Sequence, residues 1–498
     1  MFFLTLQRIT YSLVKTNMEK IIGRKREQEE LMRIYHRKSA QFVAIYGRRR
    51  VGKTYLVREL FKDDFAFYHT GVSPVELSGV NILAAQLSAF SSTLRRYGSE
   101  HVKQPTDWME AFDMLINLLA SKSKDKRQVV FIDEMPWMDT PRSGFITAFE
   151  HFWNGWAAGQ DNLMLIVCGS ASSWISDNLI NSYGGLYDRV TCEIQLSPFT
   201  LAETEALLRS QEVTMSRYDI IQLYMAVGGI PMYLSYVTPG QSLAQTIDQL
   251  FFARKAKLKD EYDRLFNSIF NKPEKYRQVV TLLAGRQKGY SRDEIIRLSS
   301  IDSGAGLSQI LKTLEACDFI EYYKPFENNR RQMMYRLTDP FCLFYLANVN
   351  GNSRSETYWR DNENLPSLST WRGRAFENLC LLHLKQIKRA LGIEGVACDA
   401  SAWTMRGTED ESGMQIDLIL DRNDRVVNLC EMKFVNTSFS VDAQYEQVLR
   451  HRLNWMSTHV GKRKNVQMTL VTTYGLTYGM HSGVFQSTVT MDDLFSTT

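Results

Sequence analysis

Between residues 41 and 46 the chain reads QFVAIY, a short apolar run, and a glycine-bounded turn follows at once. In TYLVRELF (54–61) the period changes: Leu56, Val57, Leu60 and Phe61 recur at the spacing of one helix face. A strand therefore runs into a loop and the loop into a helix. Two further apolar runs follow, VVFI before Asp133-Glu134 and LMLIVCG before Ser170. Runs this continuous are strands buried on both faces. Alternating with helical segments, they predict a parallel sheet with the ligand at the strands' carboxyl ends.

Beyond residue 200 the period is helical (LAETEALLRS, DIIQLYMAV, SLAQTIDQLFFARKAKL), which predicts a helical lid over 201–265 following a core over 18–200. KYRQVVTLLAG, SRDEIIRLSS and AGLSQILKTLEACDFI then read as three short helices. Ser291 caps the second, with Glu294 completing a capping box. EYYKPFENNRRQMMYRLTD follows as a polar-tipped ribbon, so 266–345 is expected to be a winged helix-turn-helix. The polar stretch NGNSRSETYWRDNENLPSLST predicts a loosely ordered linker over 346–370. From 371 to 498 a helix (WRGRAFENLCLLHLKQIK) and two strand-like runs (MQIDLIL, VVNLCEMKF) predict a third α/β domain.

Length supports this division, since 498 residues exceed the ~100–200 of a single core. A net charge of +4 excludes a general polycation, so any nucleic-acid surface must be local. No apolar run approaches the ~20 residues of a membrane span. Seven scattered cysteines, without a C-x-x-C or a Cys/His cluster, indicate neither a disulfide framework nor a zinc site and fit a reducing, cytoplasmic setting. The start, MFFLTLQRITYSLVKTNM, lacks the unbroken apolar segment and cleavage site of a signal peptide. Residues 1–17 are read as an N-terminal extension before Met18.

The chemistry begins at Gly47-Arg48-Arg49-Arg50-Val51-Gly52-Lys53-Thr54, which satisfies G-x-x-x-x-G-K-[ST] between a strand and a helix. The glycines let backbone N–H groups face phosphates, Lys53 reaches the β- and γ-phosphates, and the Thr54 hydroxyl completes a Mg²⁺ shell. Arg48, Arg49 and Arg50 occupy variable positions and are expected to face away from the phosphates, toward solvent, a partner or a neighbouring domain. At the end of the second apolar run Asp133 would hold Mg²⁺ through water and Glu134 would orient the attacking water. Ser170, after Gly169, is placed to sense the γ-phosphate.

These motifs, with IIGRKREQEEL (21–31), YDRVTCEIQLSPF (187–199) and AVGGIPMYL (226–234), resemble the archaeal-type ATPase family within the STAND/AAA-like P-loop NTPases. The resemblance implies ATP with Mg²⁺, Gly23 and Arg24 near the adenine, and Arg189 near the phosphates. It also implies a lid in which Gly228, Gly229 and Pro231 bring a proline to the nucleotide. Nucleotide-dependent homo-oligomers are part of the same expectation.

In the C-terminal part Asp417 interrupts an apolar strand. Glu431 and Lys433, two apart, share one face of the next strand. Like charges converging on one face raise each other's pKa, a cost that a divalent cation such as Mg²⁺ or Mn²⁺ relieves. This set resembles the PD-(D/E)XK nuclease superfamily. The resemblance implies a restriction-endonuclease-like fold with Glu377, Asp417 and Glu431 as metal ligands and Lys433 as a catalytic group, with Gln444 on the following helix as a further motif residue. The third helix of the winged-helix segment sets Lys312 against Glu315 and Asp318, and only Arg330-Arg331 at the ribbon tip is basic. That footprint favours an interdomain or protein-docking role over direct sequence reading of DNA or RNA. The expectation is an ATPase whose nucleotide state controls a C-terminal nuclease-like domain. The alternative is a regulatory ATPase of STAND type with a non-cleaving DNA- or protein-binding C-terminal domain.

Overall fold

In the computed structural model, the described residues are 21–497 apart from 74–80, 100–102, 182–183, 271, 300, 302–303, 327–332, 352–353, 406–413 and 461–463. The expected extension 1–17 with its Met18 boundary, and the ribbon tip Arg330-Arg331, lie outside them. The chain divides into two units, one of residues up to 197 with 267–271 and one of 198–266 with 272–498. Among the described residues no helix is long and apolar enough to cross a membrane.

The first unit is built on five parallel strands: β1 (Gln41–Tyr46), β2 (Phe65–Thr70), β3 (Gln128–Asp133), β4 (Leu163–Gly169) and β5 (Cys192–Gln195). Their order is β2-β3-β4-β1-β5. Every residue of β3 and β4 is buried, as expected of strands covered on both faces. One layer of that cover is aromatic. Trp108 meets Phe145 edge-on at 5.0 Å, Phe112 stacks on Phe152 at 5.2 Å, and Trp153 reaches Phe42 of β1 at 4.9 Å. The order has one consequence for chemistry: β4 lies between β1, which carries the glycine-rich loop, and β3, which carries the acidic pair.

The second unit begins with helices Leu201–Ser210 and Arg217–Val227. Three helices follow (Pro273–Ala284, Arg292–Ser299 and Ala305–Ala316), with β6 (Tyr290–Ser291), β7 (Ile320–Tyr323) and β8 (Met334–Leu337) in an antiparallel sheet of order β6-β8-β7. The Ser291/Glu294 capping box is present: the Glu294 carboxylate accepts from Ser291 N at 2.8 Å, and Ser291 Oγ accepts from Glu294 N at 3.3 Å. A second five-stranded sheet is formed by β9 (Cys398–Met405), β10 (Met414–Arg422), β11 (Val426–Lys433), β12 (Asn465–Thr472) and β13 (Ser487–Val489). Here β9, β10 and β11 are antiparallel. Helix Ala443–His459 then crosses to β12, which runs parallel to β11.

The stretch expected to be a loose linker is mostly exposed among its described residues but is anchored at Trp359. Helix Tyr358–Asn362 buries Trp359 to 2% exposure, edge-on to Trp371 at 5.6 Å, and its backbone N–H groups at 359 and 360 are accepted by the Asp248 carboxylate. The next helix starts at Pro366, five residues before the expected Trp371, because proline at a first helical position gives up no hydrogen bond. Polar composition masked one tryptophan that anchors the segment. His383, fully buried, accepts from the Leu201 amide through Nε2 and pairs through Nδ1 with the Leu379 carbonyl.

Candidate functional sites

In the first unit Gly47 and Gly52 adopt φ of 140° and 95° at the two ends of the loop, and helix Lys53–Phe61 starts immediately after. The Lys53 ammonium is buried and donates to the carbonyls of Gly47 (2.8 Å) and Arg48 (3.1 Å) and to Ser170 Oγ (3.2 Å). Thr54 Oγ1 donates to Asp133 Oδ2 at 2.9 Å. Ser170, carried at the end of β4, donates from Oγ to Glu134 Oε1 at 2.7 Å and from its backbone N–H to Oε2 at 3.0 Å. One serine therefore links the loop lysine to the acidic pair, and it can do so because β4 separates their strands. Glu134 has φ 46°, which turns the chain sharply after β3 and aims its carboxylate at Ser170.

Asp133 has its pKa raised, chiefly by burial, against hydrogen bonds from Cys168 and Thr54 that favour the anion. Its carboxylate and the Thr54 hydroxyl form a hard-oxygen pair suited to magnesium. Gly23 and Arg24 both have positive φ. Gln28 Nε2 donates to the Gly23 carbonyl at 2.7 Å, and Arg24 donates to the Val51 carbonyl at 3.3 Å, so the entry segment is tied to the loop.

Of the three arginines expected to face solvent, a partner or a neighbouring domain, one is shut off from solvent. Arg48 is fully buried, whereas Arg49 and Arg50 are half-buried and Arg49 lies over the Trp137 ring at 5.8 Å. The loop curls over Lys53 at Arg48, whose carbonyl takes the ammonium. Arg189 is exposed on the turn leading into β5 and is not drawn into the Lys53–Ser170–Glu134 network. Pro231 opens a short helix in the second unit behind Gly228 (φ 66°) and Gly229, where a Cβ would lie 1.9 Å from the Phe199 carbonyl oxygen. Sequence reading missed Cys168, whose thiol donates to Asp133 Oδ1 at 2.6 Å, and the packing need for Gly169, where a Cβ would lie 2.6 Å from Pro136. Cysteine next to that glycine gave no signal, since a buried thiol usually acts as a small apolar group.

The second unit gathers Glu377, on helix Pro366–Leu382, with Asp417 of β10 and Glu431 and Lys433 of β11. The β9–β10 register shifts between Ile416 and Ile419, so Asp417 sits in a bulge, a device that re-aims a strand side chain. Burial and the neighbouring Asp417 push the Glu377 carboxyl up to about 8, and Asp417 is raised by burial and by Glu431. Glu431 behaves differently. Burial works against its charge, yet Lys433 (2.8 Å) and Arg452 (2.6 Å) hold it below the usual carboxylate range, and the Tyr445 hydroxyl also donates to it. The same contact with Glu431 raises Lys433 against its desolvation.

Glu377, Asp417 and Glu431, expected as metal ligands, act on one another's charge, and among the described residues no group of three or more His, Cys, Asp or Glu is arranged to hold a metal ion. Lys433 and Arg452 supply countercharge to Glu431. Gln444 is exposed, and its helix reaches the cluster through Tyr445 and Arg452 instead. Those two are seven apart, two helical turns, so their shared face was legible in the sequence. Gln287 and Lys288, from the turn before β6, could not be found that way. Gln287 Nε2 donates to Glu377 Oε2 at 2.5 Å, and burial brings the Lys288 ammonium down to about 8 although the charges of Asp417 and Glu377 work to raise it.

Comparison with known proteins bears on the first of these sites. Residues 21–237 match the model of an ATPase domain family predominantly from Archaea. A protein of Methanocaldococcus jannaschii, MJECL04, is 22% identical over 418 residues, 83% of this chain and 87% of its own length. Among solved structures, the Walker-type ATPase PABY2304 of Pyrococcus abyssi is similar at 19% identity and a TM-score of 0.45, over 66% of this chain and 96% of that one. The ORC2 protein of Aeropyrum pernix in ADPNP-ADP complexes is similar at 14% identity and a TM-score of 0.39, over 66% and 95%. Residues 21–237, with their glycine-rich loop running into a helix, are thus similar to an ATPase domain found predominantly in Archaea.

Proposed function

We propose that the chain hydrolyses Mg-ATP between the loop 47–54 and the acidic pair at the end of β3. The backbone N–H groups of the loop and the Lys53 ammonium bind the phosphates, and Thr54 and Asp133 hold magnesium. Magnesium, when bound, neutralises charge that builds on the phosphate oxygens. Glu134 orients a water for attack on the γ-phosphorus and accepts its proton as the bond to the ADP oxygen breaks. Ser170 keeps that carboxylate aligned and reports the state of Lys53, while Gly23 and Arg24 line the base side. The observation that carries this reading is the chain of contacts Lys53–Ser170–Glu134 at 3.2 and 2.7 Å. Lys53→Ala is expected to abolish thermal stabilisation by Mg-ATP; an undiminished shift would remove the cradle from the account.

For the second unit we infer a nuclease-like domain behind a winged helix, its availability set by the nucleotide. Supporting this is the order helix, three antiparallel strands, helix, parallel strand, with Asp417 in a bulge beside Glu431 and Lys433. The commitment of Glu431 to Lys433 and Arg452 favours the other reading, a non-cleaving platform for nucleic acid or protein. Cleavage of DNA and RNA with Mg²⁺ or Mn²⁺, with ATP, ADP or neither, separates the two. Activity lost in Asp417→Ala supports a nuclease, and no cleavage in any state supports the platform.

A further inference from the structure

The turn 286–289 is the part of the three-helix segment that meets the carboxylates, and it is braced on several sides. The Arg286 guanidinium donates from Nε to the Gly289 carbonyl at 2.5 Å, makes two bonds to the Glu294 carboxylate at 3.1 and 2.8 Å, and lies over the Tyr290 ring at 4.1 Å. The Tyr323 hydroxyl donates to the Lys288 carbonyl at 2.9 Å. Gly289 has φ 70°, and a Cβ there would lie 1.8 Å from the Tyr335 carbonyl oxygen, so the backbone is fixed in this path.

A turn held this firmly presents two donors to the acidic cluster. The Gln287 amide donates to Glu377 Oε2 at 2.5 Å and to the Arg374 carbonyl at 3.2 Å. The Lys288 ammonium donates to the Trp403 carbonyl at 3.1 Å, within the electrostatic reach of the Asp417 and Glu377 carboxylates. Gln287, Lys288 and Glu377 all line one cavity of about 940 Å³. Glu431 is occupied by Lys433 and Arg452. The cluster thus has its countercharge supplied by side chains, and a divalent cation approaching Asp417 and Glu377 would meet an ammonium of like sign and an amide already bonded to one of its ligands.

We propose that the turn 286–289 is an inhibitory plug: Gln287 and Lys288 occupy the approach to Glu377 and Asp417, so that metal binding there requires the turn to withdraw. The consequence for cleavage rests on the nuclease-like reading of the second unit; the exclusion of metal does not.

Manganese binding to the nucleotide-free full chain, followed by the electron paramagnetic resonance of free Mn²⁺, tests it. Gln287→Ala/Lys288→Ala is expected to gain one Mn²⁺ site at least about tenfold tighter than anything in the parent chain, a factor worth ~1.4 kcal/mol. Asp417→Asn added to that variant is expected to erase the gain. Lys288→Met, which keeps the apolar stem, is expected to show a smaller gain and guards against a folding defect in the double variant. The plug is overturned if neither variant binds more Mn²⁺ than the parent, if the gain survives Asp417→Asn, or if the parent already binds Mn²⁺ through Asp417. A gained site without cleavage of any nucleic acid would uphold the plug and remove the nuclease.

Discussion

Replacing each loop glycine by alanine separates two costs that the loop geometry makes unequal. At Gly52 (φ 95°) a Cβ meets nothing within 4 Å, so alanine suffers only the torsional penalty of positive φ, ~1–2 kcal/mol. At Gly47 (φ 140°) the same penalty is joined by a Cβ only 2.3 Å from the Leu196 carbonyl oxygen. Reaching an ordinary contact of 3.4 Å requires a displacement of about 1.1 Å (3.4 minus 2.3). Leu196 cannot simply give way, because its amide donates to the Tyr46 carbonyl at 2.7 Å. Losing that bond costs ~1 kcal/mol, and off-minimum backbone adds ~1–3 kcal/mol. Alanine recovers ~0.4–1 kcal/mol by restricting the unfolded chain in both variants. The expected losses are therefore roughly 3 kcal/mol for Gly47→Ala and roughly 1 kcal/mol for Gly52→Ala. Calorimetric unfolding without nucleotide measures both, in the transition that Mg-ATP shifts in the parent chain. If Gly52→Ala costs as much stability as Gly47→Ala, the close approach of the loop to β5 is not what fixes it.

Three other outcomes are expected. Glu134→Gln should bind Mg-ATP but lose hydrolysis by at least ~100-fold, since it removes the proton acceptor and leaves the phosphate contacts; single-turnover hydrolysis near the parent rate would assign the base elsewhere. His383 is neutral in the folded chain, its pKa brought down to about 4 by burial. The unfolded chain binds the extra proton first, so stability present above pH ~6.5 is lost as pH falls toward 4, by up to roughly 3 kcal/mol. His383→Gln should flatten that part of the stability profile, and parallel urea curves for parent and variant at pH 7 and 4.5 would refute this. Trp359→Ala should destabilise the second unit by ~3–5 kcal/mol as a core tryptophan does; an unchanged midpoint would mean the segment is the loose linker that its composition suggests.

The sequence by itself determined what is local. The glycine-rich loop had to lie between a strand and a helix, the apolar runs had to be strands covered on both faces, and Ser291 with Glu294 had to cap a helix, because spacing and residue chemistry alone enforce these within a few positions. Tertiary structure decided what meets what. Placing β4 between β1 and β3 is what lets Ser170 join Lys53, 117 residues earlier, to Glu134. The bulge at Asp417, the burial of Arg48, the buried Trp359 and the arrival of Gln287 at Glu377, 90 residues on, were likewise unreadable. A periodicity records which face of an element is buried, but carries no label for the partner that buries it. The carboxylates and Lys433 were therefore legible as residues, while Gln287 and Lys288 were supplied by a turn the strand pattern never names.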